Sequence, residues 1–166
     1  MTSALVIPVP AAEPLVSQWR AEHDPAAAVG IPAHITVLYP FMTGRPITPQ
    51  VIDDLSVLLA DRSGFSFDLV DVGRFDDTLY LVPEPVEPFV DLTSVLHDHW
   101  PEYPPYEGAF PDLVPHLTVA HGGVAEFEWM EPALVAGLPI RCVADRVSLF
   151  TEAEETWTTS GSFPLG

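Results

Sequence analysis

The chain has 166 residues, 48% of them hydrophobic, and 24 carboxylates against six cationic side chains, all arginine, for a net charge of −18. Affinity for long nucleic acid comes from cations that neutralise phosphates, so this balance excludes a bulk RNA or DNA binder and leaves room for a small anion in one local pocket. The lone Cys142 excludes an internal disulfide and a cysteine-rich zinc site.

No apolar run is long enough to span a membrane, and residues 1–20 lack the pattern of a secretory signal, so a cytoplasmic protein without membrane contact is expected. Chains of this size bury roughly two-thirds of their unfolded surface, enough for one domain, residues 1–166, built as two lobes. The acidity reads as a solubilising surface.

In chain order, ALVIPVP (4–10) is apolar, β-branched and ended by prolines, which predicts a strand. Residues 12–24 then place Leu15, Val16 and Trp19 at helical spacing. Gly30 and Pro32 break the chain before a strand over 34–39 that Pro40 is expected to end. Thr48 as cap, Pro49 at the first helical position and apolar residues at 51, 52, 55, 58 and 59 predict a helix over 48–62. Residues 65–75 alternate, Asp76 and Asp77 make a turn, and 78–82 completes a hairpin. A second helix follows over 87–100. After a loop rich in proline, with Tyr103 and Tyr106, comes a strand over 116–120. A weaker helix (129–137) and strands around 140–150 and 157–163 complete the set.

The order repeats itself. LYLVPEPVEPFV (79–90) echoes LVIPVPAAEPLV (5–16), and each copy leads through a helix to a strand that opens with His-x-Thr: HITVLYPF from His34 and HLTVAHG from His116. The predicted architecture is α+β and bilobal, a pseudo-symmetric duplication in which each lobe is an antiparallel sheet with flanking helices around a central cleft.

Residues two apart in a strand share a face, so His34 points with Thr36, and His116 with Thr118. If pseudo-symmetry sets the two strands side by side, one cleft holds two imidazoles and two hydroxyls. That set suits a phosphodiester. One imidazole takes a proton from the attacking oxygen while the other protonates the leaving oxygen. The hydroxyls donate to the non-bridging oxygens. No metal or cofactor is needed.

A single His-x-Thr carries little information; two at equivalent places in a duplicated chain carry much more. These motifs resemble the paired motifs of the two-histidine phosphoesterase superfamily, the 2'-5' RNA ligase and cyclic phosphodiesterase relatives, and the resemblance extends over nearly the whole chain. It implies metal-independent hydrolysis of 2',3'-cyclic or related small nucleotide phosphodiesters. His34 and His116 are then the catalytic pair, and Thr36 and Thr118 the phosphate binders. Several relatives carry an arginine shortly after the second motif, near where this chain has His121.

His121, Phe75 and Tyr39 are further candidate substrate contacts. Strand parity turns His121 away from His116 unless the strand ends or bulges, gives Tyr39 a core position, and leaves Phe75 either stacking on a base or packing. Arg74 is expected in a surface salt bridge. The expected partner is a small nucleotide phosphodiester or an RNA terminus, with a monomeric chain.

Competing readings are RNA 2'-5' ligation at RNA ends, a non-catalytic nucleotide-binding module, and an acidic interaction protein. A metal hydrolase built on His34, His116, His121 and a carboxylate such as Asp112 is a further one. The intact histidine pair argues against the binding module.

Overall fold

The structure is a computed structural model that describes residues 1–109 and 113–166, so Asp112 lies outside the described residues. The chain builds two four-stranded antiparallel sheets. The strands are β1 (Ser3–Pro8), β2 (His34–Phe41), β3 (Phe65–Arg74), β4 (Thr78–Glu84), β5 (Leu117–His121), β6 (Ile140–Ala144), β7 (Arg146–Ala153) and β8 (Thr156–Pro164). Their orders are β2-β1-β7-β8 and β5-β4-β3-β6. Superposing the two orders equates β2 with β5 and β1 with β4, so each His-x-Thr segment lies at the edge of its own sheet.

The helices are α1 (Glu13–His23), the single turn α2 (Pro25–Ala28), α3 (Pro49–Ala60), α4 (Glu87–His99) and α5 (Val124–Ala136). Thr48 caps α3 by accepting from the Val51 amide at 3.3 Å. The first helix of each repeat crosses to the other lobe: α1 packs on β5, α4 packs on β2, and β2 meets β5. This exchange holds the two edge strands together. One contiguous core spans both sheets, with Leu5, Ile7 and Ile35 from the first, Leu79, Leu81 and Leu117 from the second, and Phe89, Leu92 and Leu96 from α4.

Three expectations about the elements are corrected. β2 continues through Pro40 to Phe41, because an edge strand tolerates a residue with no amide to donate. Helix α5 begins at Val124, five residues before the expected start, where the Glu126 carboxylate accepts from the Gly123 amide at 3.1 Å. The strands around 140–150 are two, β6 and β7, which lie in different sheets and are joined by Asp145 alone.

Both edge strands are bulged at the same place. In β2, Thr36 faces Val6 and Leu38 faces Leu5, which leaves Val37 without a partner. In β5, Thr118 faces Tyr80 and Ala120 faces Leu79, which leaves Val119 without one. A bulge of this kind places two residues against one and turns the chain beyond it over. The side chains of Val37 and Leu38 are both buried, as are those of Val119 and Ala120.

At Val37 the carbonyl accepts from the buried Thr93 hydroxyl of α4 at 2.7 Å. The other lobe thus satisfies a polar group that the bulge takes out of the ladder. Replacing Thr93 by valine should cost about 1–3 kcal/mol, the penalty of an unpaired buried acceptor, and serine should cost less. Urea midpoints of the two variants measure the difference; equal losses would mean that shape rather than the hydroxyl matters there.

Candidate active site

His34 and Thr36 pair with Pro8 and Val6 of β1, two residues apart, and so stand on one face of the first sheet. The main core takes the other face through Leu5 and Ile7. In the second sheet Thr118 stands opposite Tyr80, on the face away from Leu79 and Leu81. The run from position 34 to 39 and the run from 116 to 121 share one burial pattern, residue for residue: half-buried, buried, half-buried, buried, buried, exposed.

The two imidazoles are held alike. His34 Nδ1 lies 2.8 Å from the Pro32 carbonyl oxygen, and His116 Nδ1 lies 2.7 Å from the Val114 carbonyl oxygen, in each case two residues back along the chain. A carbonyl only accepts, so Nδ1 carries the proton in both rings and Nε2 is left to meet a ligand. Burial pushes both imidazoles below their ordinary range, against the opposing effect of these carbonyls. Arg20 and His116 push His34 further down while Asp24 raises it, and His121 pushes His116 down. The charge of one motif histidine thus reaches the other, since His116 is among the groups that lower His34.

The segment leading into His34 is clamped from below. Arg20, only 3% exposed, donates from Nε to Asp24 at 2.9 Å and from Nη2 to the Ile31 carbonyl at 2.9 Å. Asp24 also caps α2 by accepting from the Ala26 amide at 3.0 Å. Glu13 accepts from the Ala33 amide at 2.7 Å.

The bulges reverse two expectations drawn from strand parity. His121 pairs with Thr78, two residues from Tyr80, so it shares the face of Thr118. Its Nδ1 donates to the Thr78 hydroxyl at 3.2 Å, and that hydroxyl donates to the Asp77 carboxylate at 3.1 Å. Tyr39, the equivalent residue of the first copy, is not a core residue: it is 37% exposed and lies against Trp157, with ring centroids 6.2 Å apart. Each copy thus presents a histidine, a threonine and, five positions after the histidine, a larger polar side chain.

Phe75 is 40% exposed and stacks on Tyr80 at 4.5 Å, and both rings meet His116 edge-on, at 5.1 and 5.4 Å. Together with Tyr106, Val114 and Phe127 it lines a cavity of about 860 Å³ that opens beside His116. Arg74 donates to Glu131 at 2.7 Å, the surface salt bridge expected of it, with its guanidinium 5.7 Å from the centre of the Phe127 ring.

Tyr106 is a cleft residue that sequence reasoning passed over. Its turn packs on β2, its phenol comes near the Thr36 hydroxyl, and burial pushes it up, so it keeps its proton. Tyr106 and Glu107 both have left-handed backbone, φ 50 and 56, a conformation that such residues enter only when their surroundings hold them there. Among the described residues, no group of three or more His, Cys, Asp or Glu side chains stands close enough to hold a metal ion. No helix among them is long and apolar enough to cross a membrane.

Two lobes, two edge strands and a mirrored pair of tethered imidazoles define the two-histidine phosphoesterase fold. The model of the 2'-5' RNA ligase superfamily matches residues 7–156, and the chain belongs to that family. Escherichia coli LigT complexed with 3'-AMP is similar in structure, with a TM-score of 0.65 at 19% identity over 99% of this chain and 97% of that one. LigT complexed with NADP+ gives 0.60 at 20% identity, covering 99% and 96%. The protein TT0787 of Thermus thermophilus gives 0.62 at 15%, covering 99% and 98%. No curated protein matches the chain.

Gly73 faces Tyr80 across β3 and β4, and a Cβ added there would lie 2.5 Å from that ring. The glycine is what lets Tyr80 lie flat and carry Phe75 against His116. Gly73→Ala should cost about 1–3 kcal/mol through overpacking and move the imidazole C–H resonances of His116 while leaving those of His34 in place. Unchanged His116 resonances in a folded variant would contradict this placement of the rings.

Proposed function

We propose that this chain is a metal-independent phosphodiesterase that hydrolyses small 2',3'-cyclic or related nucleotide phosphodiesters, with His34 and His116 as its acid–base pair. The observation that carries the reading is the identical tethering of two imidazoles in a doubled motif, each with Nε2 left for a ligand. Structural comparison supports a small nucleotide as ligand, since LigT is described in complexes with 3'-AMP, ATP and NADP+. The acidic surface favours a small substrate over a long RNA strand, whose phosphates would be repelled.

In this reading a water oxygen attacks phosphorus while one imidazole Nε2 accepts the water proton. The bond from phosphorus to the ring ester oxygen breaks, and the other imidazole, protonated at the start, gives its proton to that oxygen. The products are a phosphomonoester and a freed hydroxyl, and the two histidines have exchanged protonation states. Thr36 and Thr118 donate to the non-bridging oxygens, where charge gathers in the transition state. Tyr106 orients the Thr36 hydroxyl, and His121 and Phe75 contact the substrate.

Because both imidazoles titrate below their ordinary value, the free enzyme holds few acid-form histidines at neutral pH. As pH falls, one ring protonates and the competent form accumulates; further acid protonates the second ring and removes the base. The pH profile of kcat/KM, which reports the free enzyme, should therefore be a bell centred below about pH 6.5, the ordinary histidine value. It should not respond to chelator. His34→Ala and His116→Ala should each lose roughly 10²- to 10⁴-fold and remove different limbs of the bell. A bell centred well above neutrality, or full activity in either variant, would end this account.

Thr36→Val and Thr118→Val should each lower turnover by roughly 10²-fold, the scale of one lost oxyanion donor, while serine retains most of it. Equal losses for serine and valine would show that the hydroxyl is not what matters.

A further inference from the structure

The cavity beside His116 has a charge pattern that the acid–base chemistry leaves unused. Its lining brings together the apolar side chains of Phe75, Phe127, Val114 and Val124. The β3–β4 turn lines it too, with the exposed carboxylates of Asp76 and Asp77. The guanidinium of Arg74 also borders it, but Glu131 already occupies that cation at 2.7 Å and Glu128 adds to the negative field around it. Apart from His116, where the first phosphate is placed, a phosphate entering the cavity meets, among the described lining residues, carboxylates and no fixed cation but the paired Arg74. A flat, uncharged ring meets an aromatic face, with carboxylates at the edge to accept from its amine donors.

We infer that this cavity takes the uncharged nucleoside part of a ligand whose single phosphate lies at the histidines, and that Asp76 makes the site reject ligands carrying a second phosphate there. The inference rests on the phosphodiesterase reading for the position of the first phosphate. Asp77 is partly committed, since its carboxylate accepts from Thr78, which in turn holds His121. Asp76 sits at the tip of the same turn and is the residue that sets selectivity. Its effect is electrostatic and reaches over a few ångströms, so salt weakens it: the screening length is about 10 Å at 0.1 M and about 3 Å at 1 M.

The test is calorimetric binding of adenosine 3'-monophosphate and adenosine 3',5'-bisphosphate to the wild-type chain and to Asp76→Asn and Asp76→Lys, at low and high salt. The monophosphate should bind the wild type tighter by roughly tenfold, the scale of a like-charge contact near a protein surface. That ratio should shrink at high salt and in Asp76→Asn, and reverse in Asp76→Lys. A bisphosphate that binds the wild type equally well or better, a ratio indifferent to both variants, or no binding of either probe would overturn the inference. Turnover of a 2',3'-cyclic nucleotide is measured on the same samples. The binding preference without turnover would support the selectivity of the cavity and count against the phosphodiesterase reading.

Discussion

A β-strand alternates its side chains between two faces, so residues at a histidine, two beyond it and five beyond it share a face only if the strand holds one extra residue between the second and the third. Both edge strands here meet that condition in the same way, at Val37 and at Val119. The bulge buries two consecutive apolar side chains; beyond it His121 returns to the face of Thr118 and Tyr39 stands exposed against Trp157. Edge strands are where such an insertion costs least, because only one ladder is disturbed. The exchanged helices then do two things at once. They press β2 and β5 together, and on one side Thr93 of α4 reaches the carbonyl that the bulge releases.

The electrostatics follow from the same arrangement. A chain with 24 carboxylates and six arginines has little fixed positive charge to give a phosphate. Arg20 is buried against Asp24, Arg74 is held by Glu131, and Arg141 and Arg146 stand beside Asp68 and Asp145. What the proposed site offers instead is polarity that can be switched on: two imidazoles kept largely neutral by burial, with the hydroxyls of Thr36 and Thr118 beside them in the sequence motif. Backbone carbonyls fix the tautomer of both rings, a task that a carboxylate performs in many histidine sites. A neutral carbonyl orients the ring without attracting the proton strongly, which is compatible with imidazoles that titrate on the acid side of neutrality.

Much of this was legible in the sequence, for identifiable reasons. The duplication shows because each repeat spends the same residues at the same structural tasks: prolines ending a strand, Glu-Pro opening a helix, His-x-Thr opening the next strand. Thr48 and Pro49 mark a helix start and Asp76–Asp77 a hairpin turn because capping and turn chemistry are local. The bulges are not local in that sense. Val37 and Val119 are ordinary strand residues, and an inserted one leaves no compositional trace, so parity counting turned Tyr39 inward and His121 away from the cleft. Tyr106 lies in a proline-rich loop without periodicity, and its place near Thr36 goes with left-handed backbone at positions 106 and 107 that no spacing announces. The exchange of α1 and α4 between lobes is likewise a matter of long-range packing.

The central claim is that His34 and His116 are equivalent in build, each held through Nδ1 and each presenting Nε2 to one ligand. Nitrogen-15 NMR of the imidazoles reads that directly. Near neutral pH both rings should appear as the Nδ1–H tautomer with a bare Nε2, and 3'-AMP should move both Nε2 resonances together. An Nε2–H tautomer at either ring, or a ligand response confined to one histidine, would contradict the account.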